Sequence, residues 1–409
     1  MPASSEKSRL PTRPPLPPGP YLVVGLARSG LAAGRLLAAR GEEVVGVDAR
    51  VAVDDAGFPT HVGDGLSLLD GVGAVVKSPG VPPRAPVVAA ARERGIPVLG
   101  ELELGWRLIP RPFVAVTGTN GKTTVTEWIA HVLRSEDRDV AAAGNVGTPL
   151  TSLVERPPAL VVCECSSYQL ADTLAFAPDV AVLLNLGSDH LDWHGSLDHY
   201  AQSKLQIFAR QTAEQVAIAP ARIVLPGAAR RVDLVSDERA TLSGAHNADN
   251  AGAVAAVCLA LGVDDAIVED GLRSFAGVEH RLQLLRERGG VRWVDDSKAT
   301  NVASTLTALD ATPAPVHLIL GGDDAKGEDF TPLAGRAAYV YVIGEAAPRL
   351  AVEVGGTHCG ELGAAVTRAA AAARPGETVL LSPACASFDQ FTDYEERGRR
   401  FAALVEALA

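Results

Sequence analysis

The stretch Val116–Thr126, VTGTNGKTTVT, follows the apolar run FVAVTG at 113–118 and leads into a helical pattern. A glycine-rich turn between a buried strand and a helix aims backbone N–H groups at one point. The positive end of the helix dipole favours an anion there. Lys122 has the reach to neutralise the outer phosphates of a nucleotide, and the Thr123 hydroxyl suits Mg²⁺. The longer form of this loop needs a glycine at 116, where the chain has valine, so TGTNGKT is a shorter phosphate loop. Gly118, Thr119, Asn120, Gly121, Lys122, Thr123 and Thr124 are therefore the first candidate site.

Other reactive side chains also follow apolar runs. Glu164 ends LVVCE, where a carboxylate beside a phosphate loop serves as a Mg²⁺ ligand. His190 follows another run, in NLGSDHLDWHG, and Lys204 lies in YAQSKLQIF. Taken alone, the histidine reads as a structural hydrogen-bonding residue and the lysine as a solvated one. Asn247 and Asn250, three apart, share a helix face, where they could cap the helix or meet the donor and acceptor edge of an adenine. GLARSG at 25–30 has Ala27 where a dinucleotide fingerprint needs glycine, so it reads as a tight turn or as a nucleotide seat. Asp48 ends the next strand, the place of a ribose-binding acid. Toward the C-terminus, DDSKATN, GGDDAKGEDF and SPACASFDQF place Asp296, Ser297, Lys298, Thr300, Lys326 and Ser387 after successive apolar runs. Any one cluster fits ordinary turn chemistry. Together they fit one pocket for a small anionic substrate.

The elements that must position these residues are short β-branched runs alternating with Ala/Leu-rich helical stretches. YLVVGL, VVGVD, AVVKSPG, FVAVTG, LVVCE, VAVLLNL, VRWVDDS, VHLILGG, YVYVIG and TVLLSP are the strand candidates. Near-continuous apolar strands between helices indicate parallel sheets covered on both faces. Such sheets bind ligands at the carboxyl ends of their strands, where most polar signals here fall. A length of 409 residues implies two or three domains, with soft boundaries near 100 and 278. Residues 11–20 hold six prolines and read as a disordered tail, with order beginning at Tyr21. A net charge of −12 excludes a dedicated nucleic-acid binder, which needs a basic face. Five scattered cysteines exclude a disulfide framework. The longest apolar stretch, 251–263, is too short to cross a bilayer, and the expected location is the cytoplasm.

In this order the motifs closely resemble the Mur ligases of peptidoglycan synthesis, best the D-glutamate-adding branch. TGTNGKTT, GNVGTPL, ECSSYQL, SDHLDWHG, SKLQIF, GAHNADNAGA, EHRLQ, DDSKATN, GGDDAKG and SPACASFDQFTDYEERG carry the likeness. The resemblance implies an α/β protein of three domains, two Rossmann-like parallel sheets flanking a central phosphate-loop ATPase domain. After the tail 1–20 these are 21–100 for the UDP-substrate, 101–277 for ATP and 278–409 for D-glutamate. It implies a monomeric ligase joining UDP-N-acetylmuramoyl-L-alanine to D-glutamate with ATP, two Mg²⁺ and CO₂ held as a carbamate on Lys204. Lys122, His190 and Lys204 would be catalytic, with Thr123, Glu164, His190 and Lys204 at the metals. Asn247, Asn250, Arg281, Asp296 and Lys298 would join the loop around ATP. Arg28, Ser29, Asp48, Arg50, Ser78 and Asn145 would face the UDP-substrate. Thr300, Lys326, Ser387, Phe388 and Tyr394 would hold D-glutamate. Folylpolyglutamate synthase, which shares the loop and the acyl phosphate route, is the alternative, but it gives no reason for a separate first domain carrying GLARSG and Asp48. The segment between Lys204 and Gly244 is short for the family, so the central sheet is expected to have lost strands. GGDDAKG is one residue longer than the common pattern, and Phe388 and Tyr394 stand where Leu and Phe are frequent.

Overall fold

A computed structural model describes residues 13–50, 53–145, 147–187, 191–242, 245–313, 315–324 and 327–408. His190 and Lys326 lie outside the described residues. The chain divides into two compact units, Met1–Phe275 and Ala276–Ala409. It is an α/β protein with three sheets among the described residues.

The first sheet comprises β1 (Tyr21–Val24), β2 (Val44–Asp48), β3 (Thr60–Val62), β4 (Ala74–Lys77) and β5 (Val98–Gly100). Its order is β3-β2-β1-β4-β5, and every pairing is parallel. Alternation within β1 explains its burial on both faces: Tyr21 and Val23 join one core cluster, Leu22 and Val24 the other. The second sheet comprises β6 (Phe113–Thr117), β7 (Val140–Gly144), β8 (Leu160–Glu164), β9 (Val180–Leu183), β10 (Val216–Ala219) and β11 (Arg230–Asp233). Its order is β11-β10-β9-β6-β8-β7, again all parallel. The short segment after Lys204 thus supplies two strands to this sheet, β10 and β11.

The second unit holds β12 (Gln283–Arg288), β13 (Val291–Asp295), β14 (Val316–Gly321), β15 (Tyr339–Ile343), β16 (Thr357–Gly360) and β17 (Thr378–Leu381), in the order β12-β13-β17-β14-β15-β16. Only the pair β12–β13 is antiparallel among these. Its cause is local. Gly289 and Gly290 adopt φ of 57° and 76°, and a two-residue turn with two positive φ angles closes an antiparallel hairpin.

Composition predicts disorder up to Pro20, but residues 13–20 are seated on the first unit. The Arg13 guanidinium lies 4.7 Å from the Trp106 ring centroid and 4.6 Å from that of Phe113. It donates to the carbonyls of Trp106, Ile109 and Arg111. A proline-rich chain has little backbone freedom left to lose, so one good anchor suffices to order it.

The helix Glu101–Leu108 ties the first two sheets together. It starts where β5 ends, and two of its acids face inward. Glu101 Oε1 accepts from Thr151 N at 2.6 Å and Thr151 Oγ1 at 2.8 Å. The Glu103 carboxylate accepts from the backbone N–H groups of Leu174, Ala175 and Phe176 at 3.2, 2.9 and 3.0 Å, and from Arg107 Nε at 2.7 Å. Beside it, Lys77 Nζ on β4 lies 2.8 Å from Asp172 Oδ2, both side chains buried. Among the described residues no helix is long and apolar enough to cross a membrane.

Glu103 gives a test of this joint. In Glu103→Gln the new amide N–H₂ faces backbone donors, so buried polar groups go unpaired. The expected loss is about 3 kcal/mol, read as a lowered thermal unfolding temperature. An unchanged melt would show that the three N–H bonds to Glu103 do not hold the sheets together.

Candidate active site

β6 is flanked by β8 and β9, so their carboxyl ends converge around the loop that follows β6. That loop, Gly118–Gly121, leads into the helix Lys122–Ser135. Gly121 has φ of 84°, the left-handed region that glycine enters freely. A Cβ at Gly121 would stand 2.4 Å from Asn250 Oδ1. Glycine therefore both makes the turn and admits Asn250, which arrives from the helix Ala245–Ala260 and donates to Asn247 Oδ1 at 3.1 Å. The sequence candidates on the loop and the asparagine pair thus form one cluster.

Lys122 Nζ donates to the carbonyls of Gly118 and Thr119, both at 2.8 Å. Lys204 reaches the same Gly118 carbonyl at 2.8 Å, with only 2% of its surface exposed. It is no solvated lysine: the helix Leu197–Leu205 directs it inward, and Tyr200, one turn earlier, lies under it at 4.7 Å from ring centroid to Nζ. Thr123 Oγ1 donates to Glu164 Oε2 at 2.7 Å, and Asn145 Nδ2 donates to Glu164 Oε1 at 2.9 Å. Hydroxyl and carboxylate oxygens at one point are the donor type that Mg²⁺ takes.

Two residues of this cluster escape the sequence reading. Asn185, just beyond β9, accepts from Asn120 N at 2.9 Å through Oδ1, and its own carbonyl accepts from Thr119 N at 3.2 Å. Tyr200 OH lies 3.0 Å from Thr119 Oγ1. Their signals were a polar residue at the end of VAVLLNL and an i, i+4 spacing to Lys204.

At the carboxyl edge of the first sheet, Asp48 accepts from Leu26 N and Arg50 N, each at 2.9 Å, one through each oxygen. Ser78 Oγ donates to Gly25 O at 2.7 Å. Arg28 and Ser29 open the helix Arg28–Ala39, and Arg28 Nη1 donates to Gly147 O at 3.3 Å. Asn145 belongs to that same turn after β7, so the turn touches both Arg28 and Glu164.

In the second unit, Asp296 follows β13 and is buried. It accepts from Leu282 N at 3.2 Å and Ser382 Oγ at 2.7 Å. Burial pushes its carboxyl up to about 7, against the pull of the Ser382 bond and of the Arg281 charge. Lys298 Nζ lies 5.6 Å from the Tyr394 ring centroid. His280 Nδ1, 2.7 Å from Asp295 Oδ2, has its pKa raised by that bond. Ser387 is buried, whereas Phe388 exposes 70% of its surface. Neighbours in sequence therefore face opposite ways.

Phosphate loop, strand-end carboxylate and inward lysine on a parallel sheet define a nucleotide-dependent α/β enzyme class. Residues 116–231 match the Mur ligase middle domain, and residues 280–385 match the Mur ligase glutamate ligase domain. The chain belongs to the Mur ligase family. A protein of Sphingopyxis alaskensis named UDP-N-acetylmuramoylalanine--D-glutamate ligase is 43% identical, across 95% of this chain and 97% of its own. One of the same name from Rubrobacter xylanophilus is 41% identical, across 94% and 97%. Among solved structures, UDP-N-acetylmuramate-alanine ligase of Thermotoga maritima aligns with a TM-score of 0.56 at 19% identity, covering 95% of this chain and 99% of that one. MurF ligase of Thermotoga maritima, in complex with ADP, aligns with a TM-score of 0.55 at 19% identity, covering 96% of each. These two structures share the fold.

Two expectations follow from the geometry. Gly121→Ala places a methyl against Asn250 and a side chain at positive φ. It should weaken Mg·ATP binding about tenfold, or ~1.4 kcal/mol, in a calorimetric titration; undiminished affinity would separate Gly121 from the nucleotide. Asp296, with its carboxyl raised in the folded chain, favours folding when protonated. That contribution is complete below the usual carboxylate range and is lost as pH rises through about 7. Relative to Asp296→Asn, the wild-type second unit should lose on the order of 4 kcal/mol between pH 4 and pH 8. Denaturant titrations of both proteins across that range check this, and parallel curves would refute it.

Proposed function

We propose that the protein joins D-glutamate to the L-alanine carboxylate of UDP-N-acetylmuramoyl-L-alanine, consuming ATP. The observation that carries this is 43% identity, nearly end to end, with a ligase of that name. A carboxylate is a poor electrophile, and phosphorylation gives it a leaving group. A carboxylate oxygen of the substrate attacks the γ-phosphorus, and the bond from that phosphorus to ADP breaks. The D-glutamate amine then adds to the carbonyl carbon of the acyl phosphate. The tetrahedral intermediate expels phosphate, and the nitrogen loses a proton to leave the amide.

The Lys122 ammonium and the loop N–H groups neutralise charge growing on the transferred phosphoryl oxygens. Thr123 and Glu164 would hold one Mg²⁺, and Glu164, His190 and Lys204 as a carbamate the other. Bound there, the metal ions supply positive charge to the phosphate oxygens. Lys204 fits this role because CO₂ converts an inward amine beside Gly118 into an anionic oxygen donor at the same place. His190 positions metal and substrate. Asn247 and Asn250 meet the adenine side of ATP, and Arg281, Asp296 and Lys298 are assigned to the same nucleotide. Arg28, Ser29, Asp48, Arg50, Ser78 and Asn145 serve the UDP-substrate. Thr300, Lys326, Ser387, Phe388 and Tyr394 serve D-glutamate. We assign the reaction, which would consume ATP and a UDP-linked precursor, to the cytoplasm and to a monomer. Over a folylpolyglutamate synthase, this reading is favoured by the first sheet, with Ser78 and Asp48 ordering its carboxyl edge.

Phosphate release is the test. It should require UDP-N-acetylmuramoyl-L-alanine and D-glutamate together, with L-glutamate and D-aspartate poor substitutes. Release that ignores the amino acid would end the proposal. Lys122→Ala should cut turnover at least ~10²-fold with an unchanged circular-dichroism melt. Lys204→Ala should lose activity, and an added short carboxylic acid should restore part of it. Full activity in that variant would remove the carbamate.

A further inference from the structure

Arg397 and Gly398 close the run SPACASFDQFTDYEERG and have no part in the reaction as proposed, yet they sit where three strand ends meet. Arg397 lies in the first turn of the helix Tyr394–Glu406 and is fully buried. Its Nε donates to Ser297 Oγ at 3.0 Å. Nη2 donates to Ser297 O at 2.9 Å and Cys385 O at 3.1 Å. Nη1 donates to Ala386 O at 3.1 Å and Gly321 O at 3.4 Å. Ser297 follows β13, Cys385 and Ala386 follow β17, and Gly321 ends β14. These strands are neighbours in that order, so one planar fork bonds the carboxyl ends of three adjacent strands.

The backbone is shaped to admit this fork. Gly322 has φ of 142°, and a Cβ there would stand 2.1 Å from Ala386 O and 3.0 Å from Arg397 Nη1. A Cβ at Gly398 would stand 2.1 Å from His280 Nδ1, so glycine there leaves room for the His280–Asp295 bond. Among the described residues the five partners of Arg397 are one hydroxyl and four carbonyls, none of them a carboxylate. Burial pulls its pKa down to about 10, as expected of a cation kept from water. Burying a charge among neutral acceptors costs free energy that a methionine would not incur. What the guanidinium adds is geometry, because its five donors are fixed in one plane.

We infer that Arg397 is a positioning residue for the amino-acid substrate: it holds Cys385 and Ala386 against Ser297 and Gly321 and so fixes the adjoining Ser387. This rests on the D-glutamate reading of Ser387. Ala386 O also accepts from Asp323 N at 3.0 Å, so the same peptide is held from a second side. A hydroxyl that selects one carboxylate of a small chiral ligand must stand within a fraction of an ångström of its place.

Arg397→Lys and Arg397→Met, assayed by phosphate release, test this inference. Lysine keeps the charge and loses the fork; methionine keeps most of the volume and loses both. In each the KM for D-glutamate should rise at least tenfold, while the KM for UDP-N-acetylmuramoyl-L-alanine stays within threefold. A folded variant with wild-type KM for D-glutamate overturns the inference. So does a loss shared equally by every kinetic constant and tracking the melting temperature. If Arg397→Met does not fold, Arg397→Lys decides by the same criteria. Wild-type release that does not depend on D-glutamate overturns the substrate reading, and this inference with it.

Discussion

Glu164 ends β8 with its carboxylate out of water, and a charge placed there has to be met by donors. Thr123 meets one oxygen and Asn145 the other. Thr123 can do so because β6 and β8 pair in register, Val116 opposite Glu164, before the chain turns into its helix. Asn145 can do so because Gly144, opposite Glu164 on β7, has φ of 114°; a Cβ there would stand 2.3 Å from the Glu164 carbonyl. That same carbonyl accepts from Asn145 N at 2.9 Å. Three strand ends and the phosphate loop are thereby set by one buried acid. The turn after β7 also reaches Arg28, so the arrangement extends to the edge of the first sheet.

The two units use the cations at their strand ends differently. In the first, Lys122 and Lys204 both donate to the Gly118 carbonyl. An ammonium on a flexible stem can be redirected to a phosphate or change its chemistry altogether. In the second, the Arg397 guanidinium spends its donors on four carbonyls and a hydroxyl, in a plane that cannot be turned without breaking several bonds at once. The proposed phosphoryl transfer calls for the first kind of cation, and the proposed D-glutamate pocket for the second.

The sequence made the interior strands legible because burial on both faces leaves continuous apolar runs, as in β1, β6 and β17. Short edge strands such as β3 and β16 lack that pressure, and Thr60–Val62 or Thr357–Gly360 show no run to detect. The phosphate loop, Glu164 and the asparagine pair were readable from residue type and spacing. The inward turn of Lys204 was not, since that depends on Tyr200 and on a carbonyl 86 positions away. Nor was the double use of Asp48, whose two oxygens already hold Leu26 and Arg50 backbone amides. The proline-rich segment misled for a related reason: composition reports chain stiffness, but the seat for Arg13 is built by Trp106 and Phe113, far along the chain.

The approach of Asn250 to Gly121 also bears on how this chain can diverge. A side chain at 121 and an asparagine at 250 exclude each other within 2.4 Å, although 129 positions separate them. Drift at 121 alone is therefore closed. A lineage that replaced the asparagine with a smaller residue would relieve the clash but not the left-handed backbone at 121, so the glycine should outlast its partner. Ancestry in this loop would then be recorded asymmetrically, with position 250 free to change to a smaller residue and position 121 scarcely at all.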